Sequence, residues 1–169
     1  MNPAFAKTLN AICVWLEQTP LSQAIQANNW VIPTVQSVHI LAVAVVAASA
    51  LMIDLRLVGA FSADQPLKTV TSRFLPFIWW PILILLATGA VMIIGEPPRS
   101  LKNPVFQLKM ALLIAALIAT GLIQYLLRHH PSFGERASGK SAAAVTIALV
   151  SMLLWTSIIF AGRWIAYYF

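Results

Sequence analysis

A histidine set deep in a long apolar run is the most chemically suggestive residue of this 169-residue chain. His39 lies nine residues beyond Trp30, ~14 Å along a helix that rises ~1.5 Å per residue. Gln36 precedes it by one turn, and the same stripe continues through Val43, Ala47 and Ala50 to Asp54. Small side chains in mid-stripe either admit a neighbouring helix closely or leave room for a flat ligand. Lys109 heads a second stripe, Lys109, Leu113, Ala116, Thr120 and Gln124, and Arg163 stands in Gly162-Arg163-Trp164. A charge at the centre of a lipid-embedded helix costs about 2.5–3.5 kcal/mol on insertion scales, which makes such residues functional candidates. Each has a plainer reading as well. His39 can hydrogen-bond a neighbouring helix, and Lys109 and Arg163 can reach the interface along their own stems.

A neutral imidazole in an apolar bundle can ligate haem iron. The two propionates of a b-type haem (haem b) must then leave the hydrocarbon or meet cations. A deep His39 with Lys109 and Arg163 nearer the surface suits that amphiphile, with Gln36 or Trp30 beside the ligand. Six-coordination would need Met92 or Met110, a backbone or water ligand, or a partner protein. His129 and His130 are adjacent, so on a helix they point about 100° apart, and they read as an exposed pair. Asp54 and Arg56 read as a structural ion pair or loop anchor at the end of the first apolar run. Thr88-Gly89 reads as a close-packing point that could also let a planar ligand approach. No Ser-His-Asp set, phosphate-binding glycine loop or paired carboxylate appears in the sequence.

The elements that position these residues follow from composition. The chain is 60% hydrophobic and 9% charged, against about 25% charged in soluble domains. Disorder, a disulfide scaffold and a nucleic-acid-binding domain are excluded. The net charge of +6 is spread over short loops and forms no basic face for nucleic acid. Four runs are long enough to cross the ~30 Å hydrocarbon layer as helices: Trp30–Ile53, Phe74–Ile94, Val105–Leu127 and Ala144–Ala166. Trp30, Trp79, Trp80, Tyr125, Trp164, Tyr167 and Tyr168 mark their boundaries as aromatic belts do. None alternates with period two, which disfavours a barrel. Short links favour antiparallel neighbours.

The predicted fold is therefore all-α: an integral membrane four-helix bundle spanning residues 29–169, with an amphipathic N-terminal segment, residues 1–28. In that segment Pro3–Thr19 carries Phe5, Leu9, Ile12 and Leu16 at helical spacing, as a helix lying on the membrane surface would. Pro20 ends it, and Leu21–Ala27 leads into the first span. The run Ala11–Leu16 is closed by Glu17 and lacks a small-residue cleavage site, unlike a signal peptide. Cys13, the sole cysteine, allows no internal disulfide and reads as a small apolar residue. Six cations, Arg56, Lys68, Arg73, Arg128, Arg136 and Lys140, sit in the loops after spans one and three. Lys7, Arg99 and Lys102 lie on the other side. The imbalance puts the richer loops in the cytoplasm, hence both termini in the periplasm if the membrane is a bacterial inner membrane.

Trp30-x-x-Pro33-x-x-Gln36-x-x-His39, Asp54-Leu55-Arg56-Leu57-x-Gly59, Thr88-Gly89 and Asn103-Pro104-x-Phe106-x-x-Lys109 resemble the pattern of a family of small, uncharacterised bacterial four-span membrane proteins, over nearly the whole chain. More distantly, the span-one histidine and the Thr-Gly … Phe-x-x-Lys arrangement resemble copper-resistance D domains and HemJ-type membrane protoporphyrinogen oxidases. The latter resemblance implies b-type haem in a helical bundle and quinone-linked or oxidase-linked electron transfer. The chain departs from the cytochrome pattern of two intramembrane histidines on paired helices.

Three functions from different classes follow as expectations. The first is a b-type haem protein exchanging electrons with quinone or a periplasmic partner, with His39 as the iron ligand. The second is a non-catalytic membrane anchor or subunit of a larger complex or homo-oligomer. The third is a copper or small-solute transporter.

Overall fold

The structure, a computed structural model, describes residues 3–62, 64–129 and 142–167. Four long apolar helices cross one another in an all-α membrane bundle, and no strand occurs among the described residues. The first span, α3 (Val31–Val58), follows two shorter helices, α1 (Pro3–Glu17) and α2 (Pro20–Ala27). Pro20 both ends α1 and opens α2, because a proline lacks the N–H that the first turn leaves unbonded anyway. Thr19 caps α2 by accepting from the Ser22 N–H at 3.3 Å, and its own hydroxyl donates to the Leu16 carbonyl at 2.6 Å. The α3 helix ends at Gly59, whose φ of 78° is cheap only without a Cβ. That turn lets the Gly59 N–H reach the Arg56 carbonyl and the Ala60 N–H reach the Leu55 carbonyl, at 3.0 and 2.8 Å.

The second span starts earlier than the hydropathy suggests. Helix α4 (Leu67–Phe74) runs through Leu75 into α5 (Pro76–Gly95) as one apolar length, Leu67–Gly95. Pro76 falls at the first position of α5, where its missing N–H does little harm, so the link read as a loop is half helical. A single turn, α6 (Pro97–Leu101), leads to α7 (Pro104–His129), and α8 (Ala142–Trp164) ends in a 3₁₀ turn at Ile165–Tyr167.

Helix α3 lies between α5 and α8, and α7 packs on α8, while α5 and α7 scarcely touch. Small residues are buried on both of these helices, Ala116 on α7 and Ala144, Ala148 and Ser151 on α8. Without a hydrophobic drive between helices in lipid, such residues gain stability through close backbone approach. Val46, Ala50, Ile53, Ile78, Ile123, Trp155 and Ile158 complete the core. Leu41, Trp80, Leu83, Ile118, Leu153 and Phe160 face outward, as a lipid-facing surface requires.

The N-terminal segment is packed rather than appended. Helix α1 lies against α6 and buries Cys13 to 1% exposure. Helix α2 sits on the end of α5, where Ser22 Oγ donates to the Ile94 carbonyl at 2.7 Å and Gln26 Nε2 to the Gly95 carbonyl at 3.0 Å. The last carbonyls of α5 have no partner within the helix, and α2 supplies one from outside.

Candidate functional site

The His39 imidazole turns from α3 toward α5, where its Nδ1 lies 2.7 Å from Thr88 Oγ1. The Thr88 hydroxyl has a single proton, and it is directed at the Ile84 carbonyl 2.6 Å away. With that proton committed, Thr88 can only accept from the ring. The geometry therefore assigns the proton to Nδ1 and leaves the Nε2 lone pair open. Gly89 faces the ring: a methyl group there would stand in ordinary contact, 3.8 Å from His39 Cε1. A larger side chain would fill the same space.

Lys109 comes up beside this pair from α7. Its stripe runs inward, with Lys109 and Leu113 partly buried and Ala116 and Thr120 buried. The ammonium is within electrostatic reach of His39. Gly162 of α8 faces it: a methyl group there would lie in ordinary contact, 3.6 Å from Lys109 Nζ. The start of α7 is tied to the end of α8 by Asn103, whose amide donates to the Ile165 carbonyl at 3.3 Å. His39, Thr88 and Gly89 thus meet between α3 and α5, with the Lys109 ammonium of α7 within electrostatic reach.

The other residues singled out by sequence are placed apart from this group. Arg163 is exposed and turns away, donating to Tyr167 Oη at 2.8 Å with its guanidinium 5.2 Å from that ring's centroid. Trp30 is 68% exposed at the start of α3, and Gln36 is exposed one turn before His39. No hydrogen bond joins either to the imidazole among the described residues. A separation of three residues turns the side chain by about 60°, enough to put Gln36 outside while His39 is half in. Met92 is partly buried and Met110 37% exposed. His129 lies against Tyr125 with ring centroids 4.5 Å apart and planes tilted by 41°, while His130 lies outside the described residues. Among the described residues no three His, Cys, Asp or Glu side chains gather as a metal cluster.

Asp54 and Arg56 form no ion pair. Residues two apart on a helix point about 200° from each other. Arg56 accordingly reaches outward, donating through Nε at 2.9 Å and Nη2 at 2.5 Å to the Gln65 carbonyl, and so anchors the loop after α3. Asp54 turns inward to 1% exposure and accepts a hydrogen bond from Ser151 of α8. The reading of this pair as a loop anchor holds for Arg56 alone. The buried Asp54 with Ser151 and Trp155 is the grouping that sequence reasoning missed. Its only trace was the polar end of the His39 stripe.

The family model DUF6644, described as a family of unknown function, matches residues 13–168, and the chain belongs to that family. No curated protein and no solved structure matches the chain.

Proposed function

For this DUF6644 member we propose a b-type haem membrane protein that carries electrons, with His39 Nε2 as the iron ligand. The observation that supports the reading best is the relay from His39 Nδ1–H to Thr88 Oγ1 and on to the Ile84 carbonyl. Histidines that ligate metals almost always donate their other ring nitrogen to an oxygen, which sets the tautomer and the ring plane. Haem b would supply a one-electron couple there. Lys109 would neutralise a propionate, and Arg163 would add a second cation on releasing Tyr167. Met92, Met110 or water would complete the coordination. Thr88 would hold the ring's orientation, with Gly89 beside it.

The loop charges support the orientation that makes both termini periplasmic in a bacterial inner membrane, and the electron partner in this reading is a quinone or a periplasmic protein. A membrane anchor for a larger complex, or a copper or small-solute transporter, has no comparably specific side-chain arrangement in its favour.

The test is an absorbance spectrum of detergent-purified protein, oxidised and dithionite-reduced, after expression with ample haem. The expected result is a Soret band that His39→Ala abolishes while the protein stays folded and membrane-inserted. Lys109→Ala should weaken haem retention without removing the band. A colourless wild-type protein would overturn the proposal.

A further inference from the structure

We propose that the cavity between α3 and α8 binds a hydroxylated six-membered ring, of the phenol or hydroquinone class, entering from the lipid. The site does not include His39, so the inference stands apart from the haem reading.

The cavity measures about 160 Å³, and its walls include Ala47, Leu51 and Asp54 of α3 with Trp155, Thr156 and Ile159 of α8. Two of these side chains are almost wholly buried, Asp54 at 1% and Trp155 at 5% exposure. Each keeps a polar atom without a partner: Asp54 Oδ2 and Trp155 Nε1. Buried polar groups in native proteins are nearly always hydrogen-bonded, and within a bilayer no bulk water is present to compensate. The occupant that repairs both faults must share a hydrogen bond with a carboxyl oxygen and accept from an indole N–H, reaching both atoms as the side chains that cover them give way. A hydroxyl group does both.

Size narrows the class further. A cavity of about 150 Å³ is enough to hold benzene, so this one takes a single six-membered ring. A metal cation fits poorly, because the indole N–H would point its positive end at it. Water alone fits poorly too, since each molecule needs two to four polar partners and the walls are mostly apolar. A second cavity beside Asp54, about 10 Å³ and bordered by Thr120 and Ser151, is at the limit for one water molecule. Access is sideways. Leu51, Thr156 and Ile159 are exposed on the outer face of the bundle, so an amphiphile with its tail in the membrane can insert its ring between the helices.

The test is equilibrium binding of 2-decylhydroquinone, kept reduced under anaerobic conditions, to the full-length protein in detergent. Saturable binding of one ring per chain is expected, with decylbenzene at least about tenfold weaker because it lacks both hydroxyls. Trp155→Phe keeps an aromatic ring and removes the N–H, and should weaken binding about two- to tenfold. Asp54→Asn, nearly isosteric, should weaken it about two- to tenfold through loss of the carboxyl's hydrogen bond. If Asp54→Asn fails to fold, the Trp155→Phe and decylbenzene comparisons decide the matter. Binding should survive His39→Ala, and a dependence on His39 would place the ring elsewhere and overturn the assignment. It is equally overturned by the absence of saturable binding, by equal affinity for decylbenzene, or by wild-type affinity in Trp155→Phe.

Discussion

Replacing Thr88 by valine exchanges one hydroxyl for a methyl group of almost the same size and leaves Gly89 and the α3–α5 packing in place. What it removes is the acceptor 2.7 Å from His39 Nδ1. The hydroxyl's own bond to Ile84 matters little, because that carbonyl keeps its helical partner. Side-chain hydrogen bonds between transmembrane helices average about 0.6 kcal/mol and reach about 1.7. This one is short, and its acceptor has no spare proton, so a loss of about 1 kcal/mol is expected, roughly fivefold in the unfolding equilibrium. The effect on the ring should be larger than the effect on stability. In water a histidine prefers its proton on Nε2, and only Thr88 holds it on Nδ1.

Nitrogen-15 NMR of histidine-labelled protein reads this directly. Wild type should show an Nδ1-protonated ring that converts to the Nε2-protonated form in Thr88→Val and persists in Thr88→Ser. If haem is bound, Thr88→Val should also weaken it about 10- to 100-fold. An Nε2-protonated His39 in the wild type would refute the relay and, with it, the argument that the lone pair is open.

Three further outcomes are expected. Gly95→Ala places a methyl group 2.7 Å from Ile32 Cδ1 and 2.8 Å from Ile25 Cγ2, so thermal unfolding should report a loss of about 1–3 kcal/mol, partly recovered by adding Ile32→Val. Gly59→Ala forces a Cβ into the left-handed region at φ 78°, and denaturant titration should show about 1–2 kcal/mol of destabilisation. Reporter fusions after Ser62 and Ser138 should report cytoplasm and a fusion at Phe169 the periplasm. A cytoplasmic Phe169 would invert the bundle and put His39 in the inner half.

The four spans were legible because lipid imposes one rule on every segment: backbone groups must be satisfied within the helix, and about twenty apolar residues must carry it across. The break at Pro20 was legible for a similar reason, since proline acts on its own backbone, whereas the first span was read to end at Ile53 and runs on to Val58 before Gly59 turns it. His39 and Lys109 could be picked out as costly in lipid wherever they pointed. Their direction was another matter. Spacing along a helix states which residues share a face but not which face meets a neighbour, and Leu, Ile and Val on both sides of α3 remove the contrast that marks an inside in water. Only the packing of α3 between α5 and α8 sent His39 to Thr88, left Gln36 outside, and turned Asp54 rather than Arg56 inward. The hydrogen-bond partner of Asp54 is Ser151 of α8, almost a hundred residues away in sequence, where it and Trp155 look like any other residues of an apolar span. A pairing of that kind is decided by helix order in the bundle, which composition and periodicity do not encode.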